Sequence, residues 1–304
     1  MQSQMKFLLD SGDPEEYREI KGLAVKQGSE LWGATTNPTL IAKKLIGQKY
    51  TLQEAYDLQK KIVMEILEIV PGAVSAEVYA DEKTTAQEMI EQGREIAAWH
   101  ERVVVKLPTT IEGLKARTAL RKEKIPINNT LVFSQQQIFA ICMHEHLVQK
   151  NFGPIQNQWP PFISPFVGRL DDIGEDGMSL IDQGIKLKIH FDRQLAIWML
   201  ASSIRNSMHI KRSMVVGSDI LTAPAKAYRE WFALSKEQQE KLDTAAYAQH
   251  LKPVARWQAP QELLTIDNVD AFMQTIESGK LDITHPLTEK GIIRFAQDWK
   301  EILK

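Results

Sequence analysis

The chain has 304 residues, 43% hydrophobic and 25% charged, a balance that supplies a full core and excludes wholesale disorder. Its net charge of −2, from 37 Lys and Arg against 39 Asp and Glu, excludes a chain-wide nucleic-acid binder and leaves room for a local basic pocket. The lone cysteine, Cys142, rules out an internal disulfide and suits a reducing, cytoplasmic setting. The opening MQSQMKFLLD reaches an acid too early for a signal-peptide core, and no run approaches the roughly 18 apolar residues of a membrane helix. A soluble protein without membrane or nucleic-acid partners is expected.

At about 150 residues per domain the length suggests two domains. An α/β barrel, however, takes about 250 residues as one domain, which leaves a surplus of about 54. Eight apolar runs recur along the chain: KFLLDS (6–11), LWGATT (31–36), AVSAEVYA (73–80), RVVVKLP (102–108), IPINNTLVF (125–133), PFISPFVG (161–168), LAIWMLASS (195–203) and VVGSDILT (215–222). Their spacing leaves room for a crossover helix between each pair, where hairpins need only two to five residues. The runs are continuous rather than alternating, as in strands buried on both faces. Eight such strands predict a single (β/α)8 TIM barrel. A doubly wound sheet is the alternative, but its GxGxxG turn is missing, as is the P-loop pattern.

The intervening segments read as helices. Asp13-Pro14-Glu15-Glu16 combines a cap, a first-turn proline and first-turn acids. Residues 52–69 place Leu52, Ala55, Leu58, Ile62 and Ile66 at steps of three or four. Segment 82–98 and the C-terminal stretch, with Ile292, Phe295, Trp299 and Ile302 on one face, read the same way. Residues 226–284 break the rhythm. They hold a capping box at Ser235–Gln238 and a short helix between Asp267 and Gly279, and predict a mostly helical insertion before the last helix. A second irregularity is the Pro- and Asn-rich loop 151–161.

Polar residues interrupt the strands. Lys106 stands in an apolar run, where it either snorkels from a strand end or is a desolvated amine able to attack a ketone. Asp10, Asn37, Glu77, Asn128, Thr130 and Arg169 all fall near carboxyl ends of strands, where a barrel builds its active site. Arg205, with Ser203, follows the seventh run and sits as Arg169 does after the sixth. The pair suits either a phosphorylated ligand or two surface salt bridges. His144-Glu145-His146 does not share a helix face as a metal site requires, so no metal is expected. Cys142 reads as packing, and Asp171-Asp172 as a solvated pair or helix cap.

Several motifs, in order, resemble the transaldolase family, which includes the fructose-6-phosphate aldolases. They are Gly33-Ala-Thr-Thr-Asn-Pro-Thr-Leu-Ile41, Val103-Val-Val-Lys-Leu-Pro-Thr-Thr-Ile-Glu-Gly-Leu114, Ile127-Asn-Asn-Thr-Leu-Val-Phe-Ser134 and Ile163-Ser-Pro-Phe-Val-Gly-Arg169. Ala201-Ser-Ser-Ile-Arg-Asn206, Gly217-Ser-Asp-Ile-Leu-Thr-Ala-Pro224 and Pro286-Leu-Thr-Glu-Lys-Gly-Ile292 complete the series. The resemblance covers 6–225 and 285–304. It implies a barrel whose fourth strand carries the Schiff-base lysine, Lys106, with Asp10 as acid/base and Glu77 and Thr130 positioning a water. Asn37, Asn128 and Ser164 would bind the dihydroxyacetone part, Phe166 would line the site, and Arg169, Ser203 and Arg205 would hold phosphate. No cofactor is implied. Sugar phosphates are the expected partners, and a homo-oligomer is expected.

Four departures stand out: Asn129 between Asn128 and Thr130, Ser11-Gly12 after the first-strand aspartate, the segment 144–161 that ends in the 151–161 loop, expected near the mouth, and the 226–284 insertion. Glu77 and Phe166 favour transaldolase, because the family's aldolases carry Gln and Tyr there. The competing expectations are a lyase that releases free dihydroxyacetone and a non-catalytic sugar-phosphate-binding protein.

Overall fold

The computed structural model describes residues 5–191 and 197–304. In chain order its elements are β1 (Lys6–Asp10), α1 (Pro14–Lys26), β2 (Leu31–Thr35), α2 (Pro38–Leu45), α3 (Leu52–Ile69), β3 (Val74–Glu77), α4 (Ala86–Ala97), β4 (Val103–Pro108), α5 (Ile111–Lys122), β5 (Ile127–Val132) and α6 (Gln135–Phe152). There follow β6 (Phe162–Pro165), α7 (Val167–Asp171), β7 (Glu175–Asp176), α8 (Gly177–Phe191), β8 (Trp198–Ala201), α9 (Ser207–Val216), β9 (Ile220–Ala223) and α10 (Ala225–Ala233). The last elements are α11 (Lys236–Glu240), α12 (Thr244–Ala248), β10 (Lys252–Pro253), α13 (Gln261–Leu264), α14 (Val269–Glu277) and α15 (Pro286–Lys300).

Strands β1-β2-β3-β4-β5-β6-β8-β9 close into a barrel of parallel neighbours, with β1 paired to both β2 and β9. Helices cross between them, so the fold is the expected (β/α)8 barrel. Side-chain caps start many of the helices: Asp13 accepts from the Glu15 N–H, while Thr51 and Thr85 make capping boxes with Glu54 and Glu88. Each such cap is worth about 1 kcal/mol.

Several strand limits differ from the sequence reading. Val215 and Val216 end α9, Gly217 takes a left-handed φ of 79° as its cap, and the strand begins only at Ile220. The sixth strand stops at Pro165, so Arg169 rides on the short helix α7. The third stops at Glu77, and residues 195 and 196 of the seventh run lie outside the described residues. The excursion from the barrel pattern also starts later than 226, because α10 packs between α1 and α9 as the eighth helix of the ring. Within that excursion Lys252–Pro253 pair in parallel with Glu175–Asp176, a strand the sequence did not disclose.

Among the described residues two separate apolar clusters hold the fold. The larger lies between strands and helices. The smaller fills the barrel interior with Leu8, Val104, Phe162, Leu200 and Ile220, backed by Trp32, Trp159 and Trp198. Trp159 meets Trp32 edge-on at 4.9 Å between ring centroids. Trp32 and Trp198 stand at or near the first residues of their strands, so the 151–161 loop closes the amino end of the barrel. It does not lie near the mouth. A segment running from helix to strand in this fold returns to the far end.

Candidate active site

Strand register brings the interrupting polar residues together. Glu77 pairs with Lys106, and Lys106 with Asn128, so three neighbouring strands aim three polar side chains the same way. Lys106 is only 3% exposed. Its amine donates to the Thr36 carbonyl at 3.1 Å and lies 2.9 Å from Glu77 Oε2. It is therefore no snorkelling side chain. Asn128 donates to Ser75 Oγ at 3.1 Å and accepts from the Ser164 hydroxyl at 2.6 Å. Asp10 pairs in register with Thr35 and accepts from its hydroxyl at 2.6 Å. Burial pushes both the Asp10 and Glu77 carboxyls above their ordinary values, and the nearby Lys106 charge opposes the shift without cancelling it. The centre thus holds one amine and two carboxyl groups that bind protons more tightly than exposed acids do.

Thr130 lies two residues beyond Asn128. Between Asn129 and Val132 the β5–β6 register slips by one residue, and Leu131 takes a φ of 57°. This bulge, braced by the Thr288 hydroxyl donating to the Leu131 carbonyl at 2.9 Å, sets the end of β5. The Thr130 hydroxyl is buried there without a hydrogen-bond partner among the described residues. Neither Glu77 nor Thr130 lines the cavity wall.

A cavity of about 470 Å³ opens over this centre. It brings together Asp10, Asn37, Lys106, Asn128, Ser164, Phe166, Arg169, Ser203 and Arg205. Asn37 also caps α2, accepting from the Leu40 N–H at 3.0 Å. Arg169 lies between the rings of Phe166 and Phe295, at 5.4 and 5.5 Å. Among the described residues it makes no ion pair within 4.0 Å. Burial and the neighbouring Arg205 charge both pull its pKa down. Arg205 pairs with Asp172 at 2.8 Å, but both side chains are at least half exposed, and such a pair is cheap to give up. Ser203 holds a φ of 57°, and its carbonyl accepts from the Gly168 N–H at 3.0 Å. Only a glycine fits at 168, since a Cβ would stand 2.3 Å from the Ser203 oxygen and 2.4 Å from Arg205 Nε.

Sequence reasoning missed other parts of the wall, notably Thr35, Thr222, Lys43 and Arg294. The two threonines bridge β2 and β9 at 2.7 Å between hydroxyls. Lys43 and Arg294 bring to five the lysines and arginines on the wall, in a chain of net charge −2.

The departures have separate explanations. Asn129 faces away from the cavity, accepting from Arg117 at 3.0 Å and donating to the Phe162 carbonyl at 2.7 Å. Glu145 binds Arg117 at 2.6 Å and Arg121 at 2.7 Å in full burial, with the His144 ring against Arg117. Burial and the neighbouring Arg117 hold the His144 imidazole well below its ordinary value. His144 and Glu145 thus fasten α6 to α5. Burial pushes the Cys142 thiol up to about 12. Ser11 donates to Glu16 beside the start of α1. Asp171 is no solvated residue: it accepts from the Gly177 N–H at 3.0 Å and lies largely buried. Among the described residues no group of three or more His, Cys, Asp and Glu is placed to hold a metal, and no helix is long and apolar enough to cross a membrane.

A family model described as transaldolase/fructose-6-phosphate aldolase matches residues 7–304. A probable transaldolase of Geobacter sulfurreducens is 32% identical over 300 residues, covering 99% of this chain and 100% of that one. Probable transaldolases of Brevibacillus brevis and Aquifex aeolicus are 38% and 40% identical over 231 and 230 residues, covering 75% of this chain and 91% and 89% of theirs.

Proposed function

The chain belongs to the transaldolase/fructose-6-phosphate aldolase family, and on that premise we propose that it is a transaldolase. It moves a dihydroxyacetone unit from a ketose phosphate, fructose 6-phosphate or sedoheptulose 7-phosphate, to an aldose phosphate. The observation that carries this reading is Lys106, buried within 2.9 Å of Glu77, at the base of a cavity whose wall also holds Asp10, Arg169 and Arg205.

The Lys106 amine adds to the C2 carbonyl and water leaves, giving a protonated imine. Asp10 takes the C4 hydroxyl proton. The C3–C4 electron pair flows into the imine, leaving an enamine, and the aldose fragment departs. The acceptor aldehyde then reacts with the enamine, Asp10 returns its proton, and water frees Lys106. The imine is itself the electron sink, so the chemistry needs no cofactor. Glu77 and the unpartnered Thr130 hydroxyl hold the water for these proton transfers. Asn128 and Ser164 bind the dihydroxyacetone hydroxyls, and Arg169 and Arg205 the phosphate. The enzyme would serve the pentose phosphate pathway in the cytoplasm as a homo-oligomer.

The test is to incubate with fructose 6-phosphate, reduce with borohydride and measure intact mass. The reading requires an adduct on wild type that is absent from Lys106→Ala. Turnover that depends on added erythrose 4-phosphate identifies a transferase; turnover without it identifies the lyase of the same family.

A further inference from the structure

The segment that follows α10 has no place in the barrel pattern; its α14 packs on α5 and α6, and its α12 and β10 pack on α9, α8 and β7. Its helix α12 packs on α9, and Tyr247 Oη comes within 2.6 Å of His209 Nε2. His209 is fully buried, and its Nδ1 accepts from the Arg205 backbone N–H at 3.3 Å. With Nδ1 accepting, the hydrogen-bond network assigns the ring proton to Nε2, which faces Tyr247 and lies 3.0 Å from Asp171 Oδ2. Asp171 ends α7, two residues beyond Arg169. Arg212 of α9 lies 5.6 Å from the Tyr247 ring centroid and binds both Asp176 oxygens at 2.8 Å. Asp176 belongs to β7, which pairs with β10 of the same segment. Beyond β10 the Val254 N–H donates to Ser179 Oγ at 2.8 Å, and Gln183 donates to the Val254 carbonyl at 2.9 Å.

The segment therefore grips the α7–α8 connection, just beyond Arg169 on α7, and α9, whose His209 holds the Arg205 backbone. We propose that residues 234–284 are a positioning element for the anion site, with Tyr247 acting through His209 on the Arg205 backbone. This rests on the reading of Arg169 and Arg205 as phosphate ligands. The physical reason is the exposure of Arg205. Its side chain is half exposed and, among the described residues, tied only to the exposed Asp172, so its backbone must supply the rigidity that holds the guanidinium over an anion. A displacement of about 1 Å at such a ligand costs up to about a hundredfold.

Tyr247→Phe removes the hydroxyl and keeps the ring over Arg212. The expected result is a KM for fructose 6-phosphate and a competitive Ki for inorganic phosphate both raised about 5-fold, with kcat and the KM for an unphosphorylated ketose each within about twofold. His209→Asn should raise the same two constants. In that background Tyr247→Phe should add nothing, because the hydroxyl acts through the ring. Should His209→Asn fail to fold, Tyr247→Phe decides alone. Unchanged phosphate Ki in Tyr247→Phe, or equal losses on phosphorylated and unphosphorylated ketoses, overturns the proposal. Arg205→Ala separates the two levels. If it leaves the phosphate Ki unchanged, the anion-site reading fails and takes this proposal with it. If it raises the Ki while Tyr247→Phe does not, only the positioning role fails.

Discussion

The Lys106 amine nitrogen lies 2.9 Å from Glu77 Oε2, and both side chains are 4% exposed. Removing one partner of a buried pair leaves the other uncompensated, and the loss appears in chemistry as well as stability. Glu77→Gln keeps the shape and removes the proton carrier. It should still form the borohydride-trapped adduct, lower kcat by about 10²–10⁴ and shift the balance toward release of free dihydroxyacetone. An unchanged ratio of transfer to release would show that Glu77 has no part in that choice.

The carboxyls of Asp10 and Glu77 are both raised by burial above ordinary values of 3.8 and 4.5. Activity that needs Asp10 ionised should therefore fail on the acid side at a pH above the ordinary aspartate value. For stability the sign is opposite to that of a salt-bridged acid. Between the unfolded and the raised folded value the native state binds the extra proton, so stability falls as pH rises through that window. Asp10→Asn should melt at a higher temperature than wild type at neutral pH, by calorimetry, while its transfer activity collapses. A lower melting temperature at neutral pH would contradict the burial argument.

Arg169 is stacked between two aromatic rings with no ion pair among the described residues, and Arg205 has only the exposed Asp172. A charge-assisted hydrogen bond contributes about 1.5–3 kcal/mol, or roughly 10- to 150-fold. Arg169→Ala and Arg205→Ala should each raise KM for phosphorylated sugars by about that factor and barely change it for unphosphorylated analogues. Parallel losses on both substrate types would argue for a structural role instead.

Gly168→Ala tests the close approach of α7 to the Arg205 loop. The added methyl meets a backbone oxygen at 2.3 Å, which cannot yield as a side-chain end would. Arg205 must move, so KM for phosphorylated sugars should rise about tenfold with secondary structure retained by circular dichroism. A silent substitution would show that the loop has slack.

Trp159 belongs to the opposite end of the barrel. Trp159→Ala should cost about 2–3 kcal/mol in chemical denaturation, below the usual 3–5 because the ring is only partly buried. Its KM values should match those of wild type. A raised KM would return the 151–161 loop to the substrate's path.

Much of this was legible in the sequence where a residue breaks a pattern. Lys106 and Asp10 stand out because charge interrupts an apolar strand, and eight spaced runs suffice for barrel closure. Thr35 and Thr222 carry no such signal, since threonine is an ordinary strand residue and only closure of β1 between β2 and β9 brings them together. Lys43 and Arg294 read as solvated helix-face cations until α15 docks on α2. Other misses had signals available. The 151–161 loop follows a helix and precedes a strand, which fixes its end of the barrel. Tyr228, Trp231 and Phe232, buried on α10, mark that helix as part of the ring. The β7–β10 pairing is too short to show a period, and Tyr247 reaches His209 across 38 residues that no local rule connects.

The filled barrel interior has a kinetic corollary. Val104 lies two residues below Lys106 on the same strand, and with Leu8, Phe162, Leu200 and the tryptophans it makes the reaction chamber a blind well. Under the proposed chemistry the departing aldose and the incoming acceptor must use the same opening. The first must leave before the second arrives, so initial-rate plots at several donor concentrations should give the parallel lines of a ping-pong sequence.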